Sequence, residues 1–253
     1  MSYIRNKVEF SIITVTYNSK KTLEKTILSV LGQSYKDYEY IIIDGKSTDG
    51  TADVILQYKH ALSTWVSEKD QGIYDAMNKG IRIASGKWIL FMNSGDLFVD
   101  SHVLQMVADE IATDNATDIL YGDILIEKRG SLTIKPAAEP CNKQRMYFCH
   151  QSAFTRTKIL KTMPFDTHFK MSADLHFFKR CYYKGLRFKH IKQPVAIFDR
   201  NGISNTNRLA GLLDNVSVVK AIDVTPQKEF FLLRLYFVII RIRVSNFFKH
   251  YKS

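Results

Sequence analysis

The sequence predicts an α/β protein with a mainly parallel central sheet flanked by helices and an amphipathic helical extension at its C-terminal end. Three observations lead to this fold class. Short apolar and β-branched runs alternate with segments of helical periodicity over the first half of the chain. Each run stops abruptly at polar residues. The last part of the chain combines dense apolar residues with basic ones.

The predicted strands are short and separated by helices, which is the pattern of repeated βαβ units. We expect strands over residues 10–15, 38–43, 63–67, 88–92 and 118–126. A helix that ends near Gly32 carries Leu23, Ile27 and Val30 on one face. We expect further helices over residues 51–58, 72–84, 101–112, 209–220 and 229–251.

Polar residues at the strand ends are the first candidates for function, because ligands of such sheets bind beyond the carboxyl ends of the strands. Asp96 follows a buried run after a turn made by Ser94 and Gly95. It suits a hard cation, and a turn aspartate bonded to its own backbone is the other interpretation. Asp44 ends the second strand, where it suits either a nucleotide or a helix cap.

The composition is that of a globular protein, since 45% of the 253 residues are hydrophobic and 24% are charged. The net charge of +11 favours an anionic partner. We exclude nucleic acid, because the basic residues are spread out outside the C-terminal segment and accompany no binding motif.

The cysteines and the N-terminal residues indicate in which cellular compartment the protein is expected. Cys141, Cys149 and Cys181 lack the spacing of a metal site, and their odd number and scatter fit reducing conditions. The first residues contain no apolar run typical of a signal peptide. We therefore expect the protein in the cytoplasm.

The segment of residues 229–251 is apolar and basic. Its longest apolar run, Leu235 to Ile240, is far short of the roughly 20 residues that span a bilayer. From residue 220 to 253 there are seven Lys or Arg and two Asp or Glu, a net charge of +5. Arg234, Arg241 and Ser245 fall on one narrow helical stripe. Two interpretations are open: a helix lying in a membrane interface, or a helix packed on the domain or on another subunit.

Two longer stretches together resemble the family-2 glycosyltransferases. Residues 10–51 read FSIITVTYNSKKTLEKTILSVLGQSYKDYEYIIIDGKSTDGT, and residues 67–98 read SEKDQGIYDAMNKGIRIASGKWILFMNSGDLF. A looser likeness continues through HQSAFTR at residues 150–156 and FDTHFKMSADLHFFKR at residues 165–180. The likeness is greatest to small bacterial enzymes that assemble surface polysaccharides. It implies a GT-A domain over residues 1–205, followed by the helical extension over residues 206–253.

The resemblance implies a set of donor-binding residues. Thr16, Tyr17 and Asn18 would lie against the nucleotide of the donor. Asp44 would bind its base, expected to be uracil, although Gly45 stands where many relatives have a second Asp. Asp70 would line the pocket near the ribose or the sugar.

The resemblance also places residues 93–96, NSGD, at the family's Asp-x-Asp metal motif. The first acidic position has become Asn93 or Ser94, and only Asp96 remains. We therefore expect Asp96 to hold Mn²⁺ or Mg²⁺ against the diphosphate of the donor, with Asn93 beside it.

The match on the acceptor side is Asp174 in KMSADLHFF. The resemblance implies that its carboxylate deprotonates the attacking hydroxyl, while capping of the helix that begins near Ser172 is the other interpretation. His150 and Gln151 would face the acceptor or the diphosphate, and a core histidine is the alternative. Arg200, in a loop over residues 199–204, would pair with a phosphate or lie in solvent.

The sequence therefore predicts an inverting glycosyltransferase that moves a sugar from a nucleotide-diphosphate donor, expected to be a UDP-sugar, to a hydroxyl. The acceptor would be a glycan, free or carried on a polyprenyl diphosphate lipid, at the inner face of the cell membrane. The Q-x-x-R-W motif of processive synthases is absent from the sequence. The alternative is a nucleotide-sugar binding or scaffold protein with impaired catalysis, suggested by the incomplete Asp-x-Asp motif.

Overall fold

The computed structural model describes residues 8–128, 130–200 and 207–250. These residues form a nine-stranded sheet in the order β3-β2-β1-β4-β8-β6-β9-β5, with β7 paired to β6 at the side. Helices cover both faces of this sheet.

The first half of the sheet is parallel and confirms the predicted βαβ pattern. Its strands are β1 (Phe10–Thr16), β2 (Tyr38–Asp44), β3 (Thr64–Ser67) and β4 (Trp88–Phe91). The helices between them are α1 (Lys20–Leu31), α2 (Thr51–Gln57) and α3 (Ile73–Ile83). Parallel pairing brings the carboxyl ends of β1, β2 and β3 to one edge, where Thr16 lies opposite Asp44 and Asp44 opposite Ser67.

The second half of the sheet is mixed. Its strands are β5 (Leu97–Phe98), β6 (Ile119–Lys128), β7 (Ser131–Lys135), β8 (Ala153–Arg156) and β9 (Phe188–Phe198). β6 pairs parallel to β9 and antiparallel to β7 and β8. The sequence prediction included β6 and missed the other four strands. β9 has no clean alternation because its pairing with β6 shifts register around Asp123.

Strand alternation divides the core into two layers. Ile13, Ile41 and Ile89 face a layer that contains α3. Their neighbours Ile12 and Ile42 face the opposite layer, which contains α1. Both faces of the parallel half are therefore buried, which explains its nearly continuous apolar runs.

The remaining α-helices follow β4 in the chain. They are α4 (Val103–Thr113), α5 (Thr157–Thr162), α6 (Ala173–Tyr183), α7 (Arg208–Ile222) and α8 (Gln227–His250). The two predicted C-terminal helices are confirmed as α7 and α8, and residue 251 lies outside the described part. α7 packs against α6, and α8 packs against α7. In the described part of the chain, no helix combines the length and apolarity needed to cross a bilayer.

Candidate active site

The loops after β1 and β2 are bonded to each other at the sheet edge. Asn18 has a left-handed backbone with φ of 49°, a conformation that asparagine tolerates better than most residues. Its Oδ1 accepts a hydrogen bond from the Thr48 amide at 2.9 Å, and its own amide donates to the Ser47 hydroxyl at 2.8 Å. Asn18 therefore fixes the spacing of the two loops.

Asp44 organises the loop that follows β2. Its side chain is completely buried. The hydroxyl groups of Ser47 and Ser67 donate to its two carboxylate oxygens, and the Ser47 amide donates as well. The carboxylate thus holds the loop against β3, the strand that carries Ser67.

Asp70 and Tyr17 meet over Gly45. One oxygen of Asp70 accepts from the Gly72 amide at 2.9 Å. A Cβ atom at Gly45 would clash with the other oxygen and lie 3.2 Å from the Tyr17 ring. Gly45 is therefore required for this close approach, and a side chain there would displace Asp70. Tyr17 itself is 61% exposed, so its ring is open to a ligand.

Asp96 is buried at the end of the turn that follows β4. Its Oδ1 accepts from the Asp199 amide at 2.8 Å, and its Oδ2 accepts from Gln151 Nε2 at 3.0 Å. Burial raises the pKa of Asp96 to about 6, despite these two hydrogen bonds. Gly95 has φ of 104°, and a Cβ there would lie 2.6 Å from a carboxylate oxygen of Asp199. A second carboxylate therefore packs against this turn.

A hydrogen-bonded chain links the turn after β4 to helix α6. Asn93 Nδ2 lies 3.0 Å from His150 Nε2, and His150 Nδ1 lies 3.1 Å from Asp174 Oδ2. On the other side, the Tyr74 hydroxyl donates to Asp174 Oδ1 at 2.9 Å. The two ring nitrogens of His150 therefore connect Asn93 to the Asp174 carboxylate, with Nδ1 as the donor to Oδ2.

Asp174 is an ionised carboxylate at ordinary pH. Burial raises its pKa, but the hydrogen bond and charge of His150 and the hydrogen bonds from Tyr74 and the Leu175 amide outweigh burial, so the pKa lies below its usual value. Oδ1 accepts from both Tyr74 and the Leu175 amide, whereas Oδ2 accepts from His150 alone among the residues that the structure describes. Oδ2 thus has more unused hydrogen-bonding capacity for a further donor.

Two buried polar atoms near the strand ends lack hydrogen-bond partners within the described residues. They are the Thr16 hydroxyl oxygen and Asn93 Oδ1. Buried polar atoms are normally paired. Thr16 ends β1, and Asn93 follows its neighbour β4, so both lie at the edge where the sheet predicts a ligand.

The residues around Asp96 fit a divalent cation. No ion pair compensates this buried carboxylate in the ranges that the structure describes, and the unpaired Asn93 Oδ1 lies three residues before it. Hard cations bind such oxygens. The same ranges contain no cluster of three or more His, Cys, Asp or Glu suited to a metal. A Mg²⁺-like ion takes only one or two protein oxygens plus phosphate oxygens, so it fits both the unpaired oxygens here and the lack of a larger ligand cluster in the described residues.

Arg200 contacts strand β6. Its guanidinium donates to the Glu127 carbonyl at 3.4 Å, and its side chain is exposed. The rest of the predicted phosphate loop, residues 201–204, lies outside the described residues. Asp199, just before that gap, lies beside Asp96, because its amide donates to the Asp96 carboxylate.

The structure brings together most of the residues that the sequence singled out after residue 92. Gln151, expected on the acceptor side, bonds Asp96, while its neighbour His150 joins Asn93 to Asp174. Sequence reasoning missed Tyr74 because 100 positions separate it from its partner Asp174. Its place in the motif-like stretch of residues 67–98 is the one signal that pointed to it.

The chain is similar in sequence to known glycosyltransferases. The family model described as "Glycosyl transferase family 2" matches residues 11–188. A "PGL/p-HBAD biosynthesis glycosyltransferase" of Mycobacterium bovis is 31% identical over 207 residues, covering 78% of this chain and 79% of the relative.

Solved structures share the fold at lower identity. Staphylococcus aureus TarS, residues 1–349, in complex with UDP superposes with a TM-score of 0.68 at 21% identity, covering 90% of this chain and 70% of residues 1–349 of TarS. A mannosyltransferase of Pyrobaculum calidifontis in complex with GDP-Man and Mn²⁺ has a TM-score of 0.68 at 17% identity, covering 92% of this chain and 70% of that protein. These similarities confirm the fold expected from the sequence.

Proposed function

Since the chain belongs to glycosyl transferase family 2 and has the GT-A fold, we propose that it is an inverting enzyme with Asp174 as its base. It moves a sugar from a nucleotide-diphosphate donor to a hydroxyl of a glycan or lipid-linked glycan during surface polysaccharide assembly. The observation that carries this proposal is the chain Asn93–His150–Asp174, because it joins the donor edge of the sheet to an ionised carboxylate.

The proposed chemistry is a single displacement at the anomeric carbon. The acceptor hydroxyl donates a hydrogen bond to Oδ2 of Asp174 and transfers its proton there as the new C1–O bond forms. The bond from C1 to the diphosphate oxygen breaks at the same time, and the nucleoside diphosphate leaves with the electron pair. Attack from the face opposite the leaving group inverts the anomeric carbon. Asp174 then releases its proton to solvent.

The donor is proposed to lie along the edge formed by β1, β2 and β4. Thr16, Tyr17 and Asn18 would contact the nucleotide, and the base would lie near Asp44 and Asp70. In this group Asp44 holds the loop through Ser47 and Ser67. Asp70 is the better candidate for direct contact, because it is less buried and lies beside the exposed ring of Tyr17. The UDP complex of TarS supports a uridine donor, and Arg200 remains a candidate for a phosphate.

Asp96 and Asn93 are the proposed cation ligands, and Gln151 orients the Asp96 carboxylate. A bound Mn²⁺ or Mg²⁺ would neutralise charge that develops on the leaving diphosphate. The Mn²⁺ in the Pyrobaculum calidifontis mannosyltransferase complex supports this assignment.

The acceptor is proposed to be carried at the inner face of the cell membrane. The basic C-terminal helix α8 supports this position, because an anionic lipid surface attracts Lys and Arg. An enzyme held there would meet a polyprenyl diphosphate carrier directly. Three cysteines without a metal-type spacing fit the cytoplasmic side.

The second candidate is a nucleotide-sugar binding protein without turnover, favoured by Asn93 in place of an acidic residue. A donor screen separates the two. UDP and GDP release would be measured for several nucleotide sugars with Mn²⁺, Mg²⁺ or EDTA and a lipid-linked acceptor pool, for the wild type, Asp174→Asn and Asp96→Ala.

Release that needs metal and is lost in both variants supports the proposed enzyme. Nucleotide binding without release from any donor supports the binding protein instead. Release that survives both EDTA and Asp96→Ala overturns the metal assignment. A matched control is Asp123→Asn, because Asp123 bonds His190 at 2.8 Å with exposure similar to that of the His150–Asp174 pair.

A further inference from the structure

Helix α8 has two apolar faces, and only one of them is covered within the described residues. Phe231, Leu232, Leu235 and Ile239 are buried in a cluster with α7. The proposed function assigns α8 to a membrane without saying which face would meet it. The buried face is occupied by the protein itself, so the exposed face is the candidate.

The exposed face carries a continuous row of large apolar side chains, which we name the apolar stripe. It consists of Phe230, Leu233, Phe237, Ile240 and Val244, with exposures of 54%, 70%, 62%, 59% and 49%. Their alternating spacing of three and four residues keeps them on one side of the helix. A row of this size on a surface marks an interaction site rather than scattered exposure.

Arginines border the stripe. The Arg234 guanidinium carbon lies 5.5 Å from the centre of the Phe230 ring, and that of Arg241 lies 5.9 Å from the centre of the Phe237 ring. Arg243 is exposed as well. Glu229 is the one acidic residue in the sequence of this 24-residue helix. The surface that covers the stripe must therefore be apolar in its middle and anionic at its edges.

Charge distinguishes two occupants of the stripe, a second copy of this helix and an anionic lipid bilayer. A spacing of three and four residues also suits pairing with a second copy of the helix. Pairing along the stripe, however, would bring Arg234 and Arg241 towards the arginines of the other copy without acidic partners. An anionic bilayer supplies both the apolar layer and the negative headgroups.

We propose that α8 lies in the surface of an anionic lipid bilayer, with the apolar stripe inserted among the acyl chains and Arg234 and Arg241 at the lipid headgroups. α8 binds along its length and does not cross the bilayer. Helix α8 packs on α7, and α7 packs on α6, the helix that carries Asp174. Binding of α8 to a bilayer would therefore hold the proposed catalytic base near the membrane surface.

Sedimentation with vesicles tests the proposal without donor or acceptor. The full chain would be mixed with vesicles of phosphatidylcholine alone or with added phosphatidylglycerol, at low and high salt. We expect it to sediment with the anionic vesicles and to be released by salt. Arg234→Gln should weaken the partition coefficient about five-fold, and Arg241→Gln likewise. Leu233→Glu combined with Phe237→Glu should reduce sedimentation to background.

The matched control is Ile134→Glu. Ile134 is 60% exposed on strand β7, away from the stripe, so the new charge should leave sedimentation unchanged. Unfolding curves would establish that all variants are folded. Two results would overturn the proposal. One is a wild-type protein that sediments with neither kind of vesicle, and the other is equal sedimentation of the stripe and control variants.

A wild-type dimer that the stripe variant dissociates, without lipid binding, would assign the stripe to a second copy and also overturn the proposal. The test is independent of the proposed function, since vesicle binding needs no sugar transfer and release of UDP needs no vesicle.

Discussion

His150 Nδ1 lies 3.1 Å from Asp174 Oδ2, and the opposite nitrogen of the same ring lies 3.0 Å from Asn93 Nδ2. One imidazole thus bridges the turn after β4 and the first turn of α6. The carboxylate is held in one orientation by His150 and Tyr74. Pre-oriented groups of this kind lower the cost of reaching the transition state.

The first prediction concerns Asp174→Asn. The amide keeps the shape of the side chain but does not accept a proton from the acceptor hydroxyl. We expect kcat to fall by about 10²- to 10⁴-fold, which is the usual contribution of a general base. Calorimetric binding of UDP should be unchanged, because no hydrogen bond or ion pair in the described part of the chain joins Asp174 directly to a proposed donor residue. Equal losses of UDP affinity and kcat would contradict the role of base.

The second prediction concerns the pH profile. Hydrogen bonds from Tyr74 and His150 favour the charged form of Asp174 and hold its pKa below the usual value, against burial. Tyr74→Phe removes one donor, so the pKa of Asp174 should rise. The acid limb of kcat/KM should then move to higher pH, and it should move further in His150→Ala. His190→Ala, at the matched pair with Asp123, should leave the limb where it is.

The third prediction concerns Gln151→Ala. Gln151 Nε2 donates to Asp96 Oδ2 at 3.0 Å and so orients the proposed cation ligand. Loss of such an outer partner weakens metal affinity by about 10- to 100-fold. We expect this change in Mn²⁺ affinity measured by calorimetry in the presence of UDP. The control is Gln105→Ala, whose amide bonds Asp109 on the surface of α4. Unchanged Mn²⁺ affinity in Gln151→Ala would contradict the assignment of Asp96 as a metal ligand.

The sequence predicted the parallel half of the fold because its strands are buried on both faces and its helices have one apolar side. The same rules failed for β9, since a register shift near Asp123 and the polar residues of the strand break both periodicities. Strand β8 is only four residues long, which is too short for a periodic signal.

Some residues of the site could be predicted from the sequence and others could not. Asp96 and Asp174 stand out because a resemblance marks their surroundings. Tyr74 and Asp199 do not, since each reaches its partner only through tertiary packing, across 100 and 103 positions of the chain. No local pattern encodes a contact of that separation.

The fourth prediction concerns a buried ion pair beneath the C-terminal helices. Lys179 Nζ lies 2.7 Å from Asp223 Oδ2, and the two side chains are 1% and 0% exposed. Asp223→Ala would leave the Lys179 charge buried without its partner. We expect a loss of about 3–5 kcal/mol in the free energy of unfolding, measured with urea.

The surface pair of Lys87 and Glu9 provides the control for that measurement. Its N–O distance is also 2.7 Å, but the Lys87 side chain is 53% exposed. Glu9→Ala should therefore cost less than about 1 kcal/mol, because water screens the exposed charge. Similar losses in the two variants would mean that burial does not set the strength of the Lys179–Asp223 pair.

The last prediction concerns the contact between α7 and the start of α6. The Met171 amide donates to Asp214 Oδ2 at 2.7 Å, and the Ser172 hydroxyl donates to Asn215 Oδ1 at 2.6 Å. The Ser172 side chain makes no capping bond within its own helix. Residues of α7 therefore hold the turn that carries Asp174, although they lie beyond the part of the chain that the family model matches.

Asp214→Ala should let this turn shift and lower kcat on the order of ten-fold, because small displacements of a catalytic group are costly. UDP affinity should be unchanged, since no hydrogen bond or ion pair in the described part of the chain joins α7 to the proposed donor residues. Asp214→Asn keeps a carbonyl oxygen for the Met171 amide and should restore most of the rate. If Asp214→Asn is as slow as Asp214→Ala, or if both lose UDP binding in step with kcat, then α7 stabilises the fold without positioning Asp174.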